Sequence, residues 1–197
     1  MVLPLLLLAA SQLSPQAASP ACHFDRPALL ALGVDAFDQD LKGGWRAIAY
    51  EKGCEEKAAG LIKQYREKQE SNLSILYWHE GQLRASVGEL GQAVSLFEKS
   101  RTSNDPAWNA YVDATIAFLV RDARGLREAR DRLLATPKPE EQNWQDANGK
   151  SVPAPKWPMN IDVVNALVAC FGKSYDEAYG TPQCRQLGID AVANKRK

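Results

Sequence analysis

The chain has 197 residues, an apolar share of 45%, and 24 basic side chains against 24 acidic ones. That length fits a single domain, and the composition is far from that of a disordered chain. The charge balance leaves no global field to draw in a polyanion, which argues against nucleic-acid binding.

Residues 1–21, MVLPLLLLAASQLSPQAASPA, read as a secretory signal peptide. Residues 2–10 are an apolar run too short to span a bilayer, and small residues follow. No Lys or Arg precedes the run, so only the amino terminus supplies positive charge. Ser19-Pro20-Ala21 places cleavage before Cys22. The expected product is a periplasmic or secreted single domain, residues 22–197, with no transmembrane segment. A lipid anchor on Cys22 is the lesser reading, because Ser19 stands where bacterial lipoproteins usually carry a larger aliphatic residue. Cys22, Cys54, Cys170 and Cys184 make an even count in an exported chain, which points to two disulfides. Three pairings are possible; sequence proximity favours Cys22–Cys54 and Cys170–Cys184. No metal site is expected, since the cysteines lack C-x-x-C spacing or His partners.

Residues 24–32 suit a short helix, with Asp25 as cap and Pro27 in the first turn. Residues 35–52 form a broken helical stretch in which Gly43-Gly44 marks either a kink or a helix start. Residues 55–70 carry one apolar stripe of Ala58, Leu61, Ile62 and Tyr65.

The centre of the chain is residues 73–101. Tyr77, Gly81, Ala93 and Phe97 fall at spacings of four, twelve and four. Small residues at Gly81 and Ala93 allow two antiparallel helices to approach closely, while Tyr77 and Phe97 fill the space around that contact. In this pattern the chain resembles the tetratricopeptide-repeat (TPR) family, which binds partners. A period of about 34 residues carries Gly81 back to Ala47 and Ala93 back to Ala59, both small. Over residues 106–135 the pattern slips by two, where Ala129 and Leu133 restore the small and bulky positions. The resemblance implies an all-α, right-handed stack of antiparallel helical hairpins.

Residues 137–158 form a long Pro- and Trp-rich loop that no helix can cross, with an Asn148-Gly149 turn signal. Trp144 and Trp157 favour an ordered flap against the helices. Residues 160–171 read as the last helix, with an extra turn over 175–179, a return of Cys184 toward Cys170, and a solvated basic tail.

Catalytic constellations are missing. His79-Glu80 starts the H-E-x-x-H pattern, but its fifth position is Leu83. A His79 dyad needs a partner such as Glu80 or Asp113, and Glu80, adjacent on one helix, points elsewhere. Neither a G-x-S-x-G nor a phosphate-cradling glycine loop occurs. The expected function is therefore binding, with no enzyme activity and no cofactor. The TPR resemblance puts Trp78, Gln82, Ala85 and Ser86, and then Asn109, Val112 and Ile116, on the concave face. Trp78, His79, Gln82, Arg84, Asn109, Tyr111 and Asp113 are the richest polar and aromatic set near it, and the partner is another protein or peptide. The alternative is an inhibitor or immunity protein that blocks a secreted hydrolase through the 137–158 loop.

Overall fold

The computed structural model describes residues 22–69, 73–140, 144, 150–154 and 156–194. The expected signal peptide, the Asn148-Gly149 turn and the last three residues lie outside them. The regular elements of the described residues are all helices. Helix α1 (Arg26–Leu30) opens as its sequence predicts, with the Asp25 carboxylate accepting from Ala28 N at 3.0 Å and Pro27 in the first turn. A π-helical turn, Asp35–Gln39, precedes α2 (Gly44–Ala49). Gly43-Gly44 is thus a helix start, with Gly43 as its N-cap.

Helices α3 (Glu55–Glu67), α4 (Ser74–Ser86) and α5 (Leu90–Lys99) follow, then α6 (Pro106–Leu119) and α7 (Ala123–Ala135). Consecutive helices pack on one another: α3 on α4, α4 on α5, and α6 on α7. The α3 stripe of Ala58, Leu61, Ile62 and Tyr65 is buried as expected. Gly81 meets α5 where the spacing predicts, since a Cβ there would lie 2.8 Å from the Phe97 ring. Ala93 and Phe97 are fully buried beside it. The bulky partner, however, is Trp78 rather than Tyr77. Trp78 lies 4.6 Å from the Phe97 ring, while Tyr77 is half-buried under the Arg66 guanidinium at 4.0 Å. One residue is a turn of roughly 100° on a helix, enough to exchange the two faces.

After α7, Trp157 packs against the core and its indole N–H donates to Thr136 O at 2.9 Å, fastening the base of the long loop. Within the loop, Val152 N donates to Trp144 O at 2.8 Å. Helix α8 (Ile161–Ala169) and the short α9 (Tyr175–Gly180), closed by a Ser174–Glu177 capping box, match the sequence reading.

A third C-terminal helix, α10 (Pro182–Asn194), does not. The sequence reading ended the helices near residue 179, yet α10 packs closely on α8. Gly188, which weakens a helix pattern, is what permits this: a Cβ there would lie 2.0 Å from Asp162 O and 2.9 Å from Ala166 N. Both favoured disulfides are present. Cys22–Cys54 ties the N-terminal segment to the start of α3, and Cys170–Cys184 ties the end of α8 to α10.

Buried side chains form two clusters. The N-terminal one holds Phe37, Trp45, Ile48, Leu61, Ile62, Tyr65 and Leu76. The larger C-terminal one runs from Trp78 and Phe97 through Tyr111, Phe118, Leu126 and Leu133 to Val164, Leu167 and Tyr175. Helix α4 contributes Leu76 to the first and Trp78 and Ala85 to the second.

Candidate functional site

A polar cluster sits where the π-helical turn, α2 and α4 meet. Asp38 is fully buried, and its Oδ1 accepts from Trp45 Nε1 at 2.8 Å and from His79 Nδ1 at 2.7 Å. Its Oδ2 accepts from Gln39 Nε2. Burial alone would raise the Asp38 carboxyl. The hydrogen bond and charge of His79, the Trp45 N–H and the Arg46 guanidinium outweigh that and hold it below its ordinary value. The other ring nitrogen, His79 Nε2, lies 3.4 Å from Arg46 Nη2. Both imidazole nitrogens thus have a side-chain neighbour within the protein. The partner of His79 is Asp38, not Glu80 or Asp113. Glu80 is buried and accepts from Arg66 Nη2 at 2.9 Å, with Arg84 Nε at 3.9 Å.

The other residues expected on the concave face are dispersed. Trp78 and Tyr111 are 3% exposed, so both are interior and offer nothing to a partner. Their rings lie 4.6 Å apart and join Trp108 and Phe97 in one aromatic cluster. Asn109 holds a peptide backbone, but it is the chain's own: Thr102 N donates to its Oδ1 at 3.1 Å, and its Nδ2 donates to Thr102 O at 2.6 Å. Arg84 donates to Glu89 Oε2 at 2.6 Å. Asp113 accepts from Arg101 and Arg132, each at 2.7 Å.

Gln82 lies against Tyr175 of α9. The Tyr175 ring approaches Phe97 at 6.5 Å and Phe118 at 6.3 Å, so α9 covers part of the face of α4 and α6 that the resemblance assigns to a partner, while Gln82, Ser86, Asn109 and Ile116 stay half-buried. Ala85 and Val112, also expected on that face, are buried in the same core. Burial pushes the Tyr111 and Tyr175 phenols well above their ordinary range, and both stay protonated. The sequence carried a sign of this arrangement in the aromatic pair Tyr175 and Tyr179, spaced to bury one face of a short helix.

Besides a hollow of about 300 Å³ between residues 23–29 and α2, two concave regions lie on the outside of the described residues. The first is a notch of about 150 Å³ at the turn end of the central hairpins, lined by Ala85, Leu90, Phe118, Leu119 and Tyr175, with Arg121 at its edge. Arg121 is held there by donating to Phe171 O at 2.6 Å and Lys173 O at 2.9 Å. Val87, Leu90 and Val120 are exposed beside the notch, Val120 at 57%. The second is a cleft of about 650 Å³ between residues 156–162 and the C-terminal half of α10. Among the described residues, no group of three or more His, Cys, Asp or Glu side chains could hold a metal ion. No helix among them is long and apolar enough to cross a membrane.

The all-α class rests on the structure alone. No family model, no curated protein and no solved structure matches the chain.

Proposed function

We propose that the chain is an exported, TPR-like helical-repeat protein that binds a segment of another protein. The Gly81–Phe97 contact and the buried Ala93 support the repeat register, and two disulfides support an oxidising compartment. The α9 helix covers part of the concave face, so recognition moves to the turn end of the hairpins. The observation that carries this is the 150 Å³ notch with exposed Val87, Leu90 and Val120 around it. A cavity of about that size admits a ring as large as benzene. The partner presents one bulky apolar side chain, seated on Phe118 and Tyr175, with neighbouring apolar residues on the rim. A random-peptide display screen tests this. Selected peptides are expected to share one Phe-, Leu- or Trp-sized residue and to lose roughly tenfold or more in affinity against Val120→Asp or Leu90→Asp. Peptides that bind these variants as tightly as the parent would sink the reading.

The rival reading, an inhibitor or immunity protein acting through the 137–158 loop, draws on the Trp157 anchor, which fixes the loop's base to Thr136. Its test is a panel of secreted hydrolases assayed with the parent chain and with a chain shortened between 140 and 150. Inhibition lost on shortening, with an unchanged melting temperature, favours the loop.

A further inference from the structure

The C-terminal cleft is a different site with different chemistry. Gly188 rests on Asp162 and Ala166, and α8 begins only at Ile161, so the last turns of α10 run past the start of α8. Ile189 and Val192 on that overhang face Pro158, Met159 and Ile161 across about 650 Å³, within the range of small-molecule sites. The walls are aliphatic, with a flexible methionine and no aromatic ring, which suits an alkyl chain better than a flat heterocycle.

The charges at the mouth are not balanced. Asp162 is compensated by Arg185, whose Nη2 lies 3.4 Å away. Lys156 is exposed and has no hydrogen bond or ion pair among the described residues. Asn160 also lines the cleft, and its side chain makes no cap bond to α8. Among the described residues lining the cleft, the one uncompensated charge is therefore positive, and it shares the cleft with an amide able to donate.

We propose that this cleft binds a single alkyl chain with an anionic head group, the chain lying along Ile189, Val192 and Met159 and the head meeting Lys156 and Asn160. A free fatty carboxylate and the acyl chain of an anionic lipid share that chemistry.

Titration calorimetry with octanoate, decanoate and dodecanoate, each below its micelle concentration, tests the site. Affinity is expected to rise about fifteenfold for each two-carbon step, from roughly fourfold per methylene. Dodecyltrimethylammonium, with the same chain and opposite charge, is expected to bind more weakly, and Lys156→Glu is expected to reverse that order. Ile189→Trp alters a residue 43% exposed, so the fold should persist by its melting temperature while the filled cleft loses the ligand. Flotation with phosphatidylglycerol vesicles separates the sources. Dodecanoate binding without flotation assigns a free ligand, and flotation abolished by Ile189→Trp assigns a membrane lipid. An affinity that does not change with chain length, equal binding of cation and anion, or full binding by a folded Ile189→Trp protein overturns the proposal.

Discussion

The two cores of this molecule are built from opposite chemistry although they share α4. The C-terminal core is dry and aromatic: Trp78, Phe97, Trp108, Tyr111, Phe118 and Tyr175 meet ring to ring, and Tyr111 and Tyr175 remain neutral. The N-terminal core has acidic side chains in its wall, each with basic partners: Asp38 under His79, Trp45 and Arg46, and Glu80 under Arg66 and Arg84. On α4, residues 76, 79 and 80 face the first core and 78 and 85 face the second, which is the division that helical spacing imposes. The lesson is that α4 is a partition between two interiors. Its polar residues satisfy buried charge, and its aromatic residue closes the other side.

The largest expected effect follows from that partition. Trp78→Ala removes a ring in contact with three others and should cost about 3–5 kcal/mol in chemical denaturation, without any partner present. A surface anchor would cost far less, so a loss under about 1 kcal/mol would break the assignment of Trp78 to the interior. The disulfides come next and staple one core each. In the chain-entropy model, replacing both cysteines of the 22–54 pair by serine costs about 4 kcal/mol, and of the 170–184 pair about 3 kcal/mol, because the first closes the longer loop. The order of the two melting temperatures is the check. A smaller effect belongs to the α4–α5 contact. Ala93→Leu adds volume beside Gly81 and Phe97 where no space is left, with an expected cost of about 1–3 kcal/mol. An unchanged melting temperature would show that α5 can shift away and that the close contact is not required.

What could be read from the sequence was local. The Asp25 cap, the α3 stripe, the Gly81–Phe97 contact and both cysteine pairs depend on residues near one another along the chain, or on one helical period. The failures share a cause. Trp78 and Tyr77 are adjacent aromatics, and only the position of a third helix decides which is interior. Gly188 weakened the α10 pattern, because a glycine costs about 1 kcal/mol in a helix unless another backbone lies against it. Asp38 sits in a stretch that reads as a break between helices, and its partner His79 is 41 residues away. The packing of α9 beside α4 was likewise beyond reach, since the spacing of α4 does not say what lies across it.

The finest test of the difference between the cores is their response to acid. Asp38 is held below its ordinary value of 3.8 in the folded chain, so it contributes stability that is fully present above that value. The contribution is lost as the pH falls through the depressed folded value, because the unfolded chain takes up the proton first. Asp38→Asn keeps the shape, and its side-chain oxygen can still accept from Trp45 and His79, but the negative charge facing Arg46 is gone. The variant is expected to be less stable at neutral pH by about 1.5 kcal/mol, the lower end of the scale for a hydrogen bond to a charged group. That deficit should shrink below about pH 4, as the parent's own carboxylate becomes neutral. The other carboxylates titrate alike in both proteins and cancel in the difference. Urea unfolding of parent and variant between pH 7 and pH 2 measures it. A deficit unchanged to the lowest pH would mean that Asp38 holds the N-terminal core by hydrogen bonding alone, and the electrostatic contrast between the two cores would go with it.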